Sequence, residues 1–393
     1  MAVPLFDDAF WESSHEVFAA LRSRGPVHRA VLPDGIGVWV VCDYGVAKEA
    51  LSDPRLSKDS ARLHALLQRL VGETTFSRML GPHMMYQDGE DHARLRRVAK
   101  VAFSPRRVAA LQPRIEDITA AIVRGLPRHE PVDLIDRVAS RVPLTVICEL
   151  LGVPEKDRKP FRGWTTAMME DVRERTVPAS QALEDYFAGL IESKRAQGGS
   201  DLLCALVDPS GEGEWLSESE LMGTCFLLLV AGFETTSNLI GNSVFHLLAQ
   251  GRWREIGQAP KLLAGAIDEL LRFDSPVRLA THRVTLEPVV YGPVTIPAGE
   301  LVFVALQAAN RDPARFDGAD ELCLYREASG HLAFGHGAHY CLGAQLGRLE
   351  AETVLGRLTR EFPDARLAVP ESQLRHQRSA IMNGYAELPV LLG

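Results

Sequence analysis

The sequence predicts a mainly α fold with a minor β region. Three observations carry this. Helical apolar periodicity dominates from Asp43 to about Arg272, and one stretch of it runs unbroken from a capping signal at Ser217 to Gly251. The alternating or β-rich apolar runs are confined to residues 27–41 and 283–306. There is no internal repeat, no low-complexity tract and no clear domain boundary in the 393 residues.

The elements follow in order. Residues 12–24 carry a helical pattern, and residues 27–41 alternate around Pro33-Asp34-Gly35, a hairpin signal. Residues 198–214 are rich in Gly, Ser and Asp and predict a loop. Ser217 with Glu220 three residues on is a capping box. The helix it opens would run to Gln250, roughly 50 Å, enough to cross the molecule. Pro260 starts a further helix that ends near Pro276. The β-type runs 283–290 and 301–306 are separated by the turn residues Gly292-Pro293 and Pro297-Ala298-Gly299. A last helix is expected from Leu342 to about Arg360, stopped before Pro363.

Composition narrows the function. With 46% hydrophobic residues the chain can bury a large core, and a net charge of −8 argues against nucleic-acid binding. Residues 1–8 lack the basic start and apolar stretch of a signal peptide, and the apolar run 221–233 is too short to span a bilayer. No membrane anchor is expected. Six cysteines with no CxxC pair fit a reducing cytoplasm better than a disulfide framework.

Cys341 stands apart from the other five. It lies in Phe334-Gly335-His336-Gly337-Ala338-His339-Tyr340-Cys341-Leu342-Gly343, poor material for a core. The glycines permit close backbone approach to a flat ligand, and a cysteine just before a helix gains a lowered pKa from the helix N-terminus. A thiolate that ligates iron is the reading this favours. A buried loop cysteine and a zinc site from His339 and Cys341 are the alternatives, the latter lacking a matching ligand pair elsewhere. Midway along the long helix, Ala231-Gly232-Phe233-Glu234-Thr235-Thr236 places polar residues and glycine where a purely structural helix has little use for them.

The pattern Phe334-Gly335-x-Gly337-x-His339-x-Cys341-x-Gly343 resembles the haem-binding signature of the cytochromes P450, in the form found in soluble bacterial, actinobacterial-type members. Further landmarks resemble that family in order. Residues 231–236 resemble its oxygen-activating turn, Glu269-Leu270-Leu271-Arg272 its ExxR motif, and His92 with Arg96 its propionate-binding helix. Ala309-Asn310-Arg311-Asp312-Pro313 and Phe316 resemble the segment leading into its meander. The resemblance runs from about residue 10 to the C-terminus. Residues 88–92 lack the prolines often found there, and Gly347 replaces a usual alanine.

The resemblance implies a single triangular P450 domain over residues 1–393, with haem b between the long central helix and the cysteine-loop helix. It implies that Cys341 is the axial thiolate and metal ligand, and that His92, Arg96, Arg283 and His339 contact the haem propionates. Thr235 would hydrogen-bond the activated dioxygen and Glu234 would pass protons from water. Glu269 and Arg272 would be structural, with Arg326 as third member of their network. The implied activity is a monooxygenase that takes dioxygen and two external electrons to hydroxylate or epoxidise a mainly apolar secondary-metabolite intermediate. Oxidative coupling of aromatic or cyclic-dipeptide substrates is the alternative, and a non-catalytic haem sensor or carrier a third reading. A ferredoxin and its reductase would donate electrons to a cytoplasmic, monomeric enzyme, docking at a basic cluster of Arg94, Arg96, Arg97, Lys100, Arg106 and Arg107. Substrate contacts are expected from residues 60–85 and 161–178, from Leu229, Val230 and Phe233, and from Leu279, Ala280, Ile381 and Met382.

Overall fold

The computed structural model describes residues 3–7, 10–11, 13–32, 35–71, 82–100, 103–169, 173–199, 201–207 and 215–393. Helices form most of it. The long helix spans Glu218–Ala249 and begins with the capping box: the Ser217 N–H donates to Glu220 Oε2 (2.8 Å) and the Glu220 N–H donates to Ser217 Oγ (3.3 Å). Glu220 also pairs with Arg94, which ties this start to helix Gly89–Lys100. The long helix is apolar enough to cross a membrane, yet most of its apolar stretch is buried within the protein, and it contributes to two core clusters. It is a core helix.

Helix Ala344–Glu361, which follows the cysteine loop, packs against the long helix. At Gly347 a Cβ would lie 3.6 Å from Thr236 Oγ1, so the glycine found where the family usually has alanine leaves an ordinary contact unfilled. The helix begins two residues later than the sequence suggests, because Gly343 is its N-cap.

The β region forms a six-stranded sheet. Strand Val27–Val31 pairs antiparallel with Gly37–Val41, as the hairpin signal predicts, although Pro33 and Asp34 at its turn lie outside the described residues. Gly37–Val41 runs parallel to Leu301–Val304, which pairs antiparallel with Arg283–Thr285. The short edge strand Leu56–Ser57 then pairs antiparallel with Arg283–Thr285 and brings residue 58 beside residue 283. The run 283–290 is two strands rather than one, since Val289–Tyr291 leaves the sheet to form its own hairpin with Val294–Ile296. The expected loop at 198–214 contains a short helix, Leu202–Val207, whose apolar side chains bury in a core cluster. Residues 208–214 lie outside the described residues.

Candidate active site

The cysteine loop is shaped by its glycines. Gly335 and Gly337 take φ of 72° and 74°, a left-handed conformation that other residues adopt only with strain. At Gly337 a Cβ would also lie 2.8 Å from Ser52 Oγ and 3.1 Å from the Leu51 carbonyl oxygen. The loop is closed by the Cys341 N–H donating to the Phe334 carbonyl (2.9 Å), and Cys341 faces a large internal cavity instead of packing into a core. Its thiol differs from the sequence-based expectation: burial pushes its pKa up. The Gly343 backbone N–H, Arg96 and Arg348 oppose that shift only in part. A bound metal cation would favour the thiolate form.

All seven candidate site residues line this one cavity of about 1100 Å³: His92, Arg96, Glu234, Thr235, Arg283, His339 and Cys341. That volume exceeds the upper range for an ordinary small-molecule pocket and leaves room for a prosthetic group together with a substrate. Near Cys341 the side chains are basic. The His92 and His339 rings lie 4.1 Å apart, and His92 Nε2 is buried with no hydrogen-bond partner. Burial, and then Lys58 and the other nearby cations, lower His339 to about 2. Burial likewise lowers Arg283 to about 10. Arg96 Nη2 donates to the Tyr340 carbonyl (2.6 Å), and Arg283 Nη1 donates only weakly to the Thr281 carbonyl (3.3 Å). Among the described residues no carboxylate forms an ion pair with Arg96 or Arg283. Such donors suit buried carboxylates.

On the long helix, Glu234 and Thr235 face the cavity with Leu227, Val230 and Ala231. Burial raises Glu234 to about 7. The Thr235 hydroxyl donates to the Ala231 carbonyl one turn back (2.6 Å), a local bond available to a threonine inside a helix. Leu229 and Phe233, expected at the substrate, lie on the far side of this helix in a core cluster. Leu279 is also corrected: it is fully buried between strands, whereas Ala280, Ile381 and Met382 do line the cavity. Met84, Met85, Thr166 and Met168 line it from the two expected variable segments; residues 72–81 and 170–172 lie outside the described residues.

The Glu269–Arg272 pair is fully buried, and Arg326 Nε donates to Glu269 Oε1 at 3.2 Å, which completes the expected three-member network. Sequence reasoning missed Lys58, His282 and Glu350, all at the cavity or beside it. Of the basic cluster, Arg94 pairs with Glu220 and Arg96 is turned to the loop, while Arg97, Lys100, Arg106 and Arg107 are exposed.

The model of the cytochrome P450 family matches residues 155–377. The chain is 45% identical over 394 residues to cytochrome P450 107B1 of Saccharopolyspora erythraea, covering 99% of this chain and 97% of that protein. It is 43% identical to the vitamin D(3) 25-hydroxylase of Pseudonocardia autotrophica, covering 99% and 96%. The solved structure of the P450 monooxygenase TamI bound to tirandamycin C superposes with a TM-score of 0.93 at 40% identity, covering all of both chains. With the ordered motifs, the shared fold and the cysteine loop in place, this chain belongs to the cytochrome P450 family and is a monooxygenase of its bacterial type.

Proposed function

We propose that Cys341 is the axial thiolate of a haem b and that His92, Arg96, Arg283 and His339 hold its propionates. The chain would thereby hydroxylate or epoxidise a mainly apolar secondary metabolite. The observation that carries this is the gathering of all seven residues on one cavity, with the partnerless His92 Nε2 and unpaired arginines beside the cysteine. A porphyrin with two carboxylates fits that donor set in charge and number. When bound, haem supplies the activation of dioxygen by two electrons.

The protein's own groups do the rest. Glu234, held near 7, can keep and release a proton at neutral pH, the requirement for a relay. The Thr235 hydroxyl hydrogen is committed to Ala231, so its oxygen is oriented as an acceptor into the cavity until that bond is released. Apolar lining from Leu227, Val230, Ile381 and Met382 excludes bulk water and receives the substrate. Oxygen insertion is favoured over ring coupling by the hydroxylase and monooxygenase relatives. The binding of tirandamycin C to TamI supports a substrate of similar class. The exposed Arg97, Lys100, Arg106 and Arg107 form a basic face for an acidic ferredoxin served by its reductase. The chain acts as a monomer in the cytoplasm, as one domain over residues 1–393.

The test is the spectrum of the reduced, carbon monoxide-treated protein for wild type and Cys341→His. A thiolate-type band in wild type that becomes imidazole-type in the variant is expected. An imidazole-type band in wild type overturns the assignment.

A further inference from the structure

Lys58 is a buried lysine, 5% exposed, on the wall of the same cavity. The edge strand Leu56–Ser57 places it there. Leu56 pairs with Thr285 and Ser57 with Val284, so the next residue falls beside Arg283. Asp88 fixes this end of the strand by accepting from the Lys58 backbone N–H (3.0 Å) and from the Ser57 hydroxyl. The ammonium group has three donors, and one of them is given to Thr281 Oγ1. The Tyr86 ring lies 5.7 Å from it.

The charge here does not balance. Lys58, Arg96 and Arg283 are basic side chains lining one cavity, and among the described residues none forms an ion pair with a carboxylate; burial disfavours the charged form of Lys58 while no anion is beside it. Asp88 is the acid closest in effect, with its oxygens already engaged by the strand. An uncompensated buried charge costs several kcal/mol, so a fold that buries Lys58 and Arg283 side by side, with the half-buried Arg96 on the same cavity, is arranged for an anion. Two carboxylates, with Asp88 nearby, would bring the wall close to neutrality.

We propose that Lys58 is a further binding residue for the cofactor's carboxylates, acting with His92, Arg96, Arg283 and His339. This rests on the haem reading above, and the experiment separates the two. Holoprotein of wild type, Lys58→Met and Lys58→Arg is mixed with excess apomyoglobin, and the rate of haem transfer is followed. Lys58→Met should release haem about tenfold faster or more, with Lys58→Arg within about threefold of wild type. Each protein is then reconstituted with the haem dimethyl ester, which lacks the carboxylates. The difference between wild type and Lys58→Met should disappear with the ester. Equal transfer rates with native haem, or the same difference with native haem and ester, overturn the role of Lys58 and make it a packing residue. A wild type that takes up no haem overturns the reading beneath it. Should Lys58→Met fail to fold, Lys58→Gln, shorter, polar and neutral, is read by the same two outcomes.

Discussion

Arg272 grips Glu269 through two hydrogen bonds of 2.7 and 2.8 Å where solvent reaches neither side chain. The other donors of the guanidinium go to the carbonyls of Asn310 (3.0 Å), Ala319 (2.7 Å) and Glu321 (3.1 Å), so all five N–H groups are used. Glu269 Oε1 takes two more donors, the Cys323 N–H (2.9 Å) and Arg326 Nε (3.2 Å). A buried ion pair is tolerable only when its remaining lone pairs and protons are satisfied, and here they are. The pair therefore fixes helix Leu263–Phe273 to the segment that leads towards the cysteine loop.

Arg272→Lys should destabilise the protein by about 3–5 kcal/mol, because an ammonium cannot replace the bidentate grip and three carbonyls together. Urea unfolding of the two proteins measures it. A change under about 1 kcal/mol would place the pair among ordinary surface-type ion pairs and remove its structural role.

Gly337→Ala combines a left-handed φ of 74° with a Cβ 3.1 Å from a backbone carbonyl, which cannot move aside as a side chain could. A loss of about 1–3 kcal/mol is expected, together with weaker haem retention because the strain falls on the cysteine loop. Thermal unfolding and haem content after gel filtration report the two effects. Gly265→Ala, with open space around its Cβ and off the cavity lining, is the control.

What could be read in advance follows from where the information lies. The capping box, the hairpin and the glycine loop are local chemistry, and each is found at its sequence position. Arg326 was found because a motif fixes the order of its partners. Faces of the long helix were not legible: its stretch 221–233 is mostly apolar on every side, so nothing in the pattern told Leu229 and Phe233, which pack in the core, from Leu227 and Val230, which face the cavity. Lys58 and Glu350 belong to no motif that would single them out in the sequence. Their burial depends on a strand edge pairing with residues more than two hundred positions away, and on the packing of helix Ala344–Glu361.

Glu234→Gln removes a carboxyl that burial holds near 7. Turnover should fall by about a hundredfold, the scale of a lost proton-transfer group. The wild-type rate should decline as pH rises through about 7, where the carboxyl loses its proton, and the variant should lack that inflection. Thr235→Ala should raise the electrons consumed per product formed. Unchanged pH profile and coupling would remove both residues from the relay.

Charge reversal at Arg97 and Lys100, both exposed on helix Gly89–Lys100, tests the basic face. Reduction by an acidic ferredoxin should slow about tenfold at low salt, and the gap should close as salt screens the encounter. Stopped-flow reduction across a salt series shows this. Equal rates at low salt would place the docking surface elsewhere.

Glu350 makes the last case through linkage. It is 2% exposed on helix Ala344–Glu361, its Oε2 has no hydrogen-bond partner, and burial raises it from 4.5 to about 8. The folded protein therefore holds this proton across a window in which the unfolded chain has released it. With more protons bound to the native state, stability must fall as pH rises from about 4.5 to about 8, and level off above. At about 1.4 kcal/mol per pH unit the full effect is on the order of 5 kcal/mol. Glu350→Gln keeps the shape and cannot ionise, so it should flatten this slope and be the more stable protein at about pH 8. Urea midpoints of the two proteins, compared at several pH values across the window, decide it. Parallel slopes would mean that Glu350 finds a partner in solution and ionises as freely as an exposed acid.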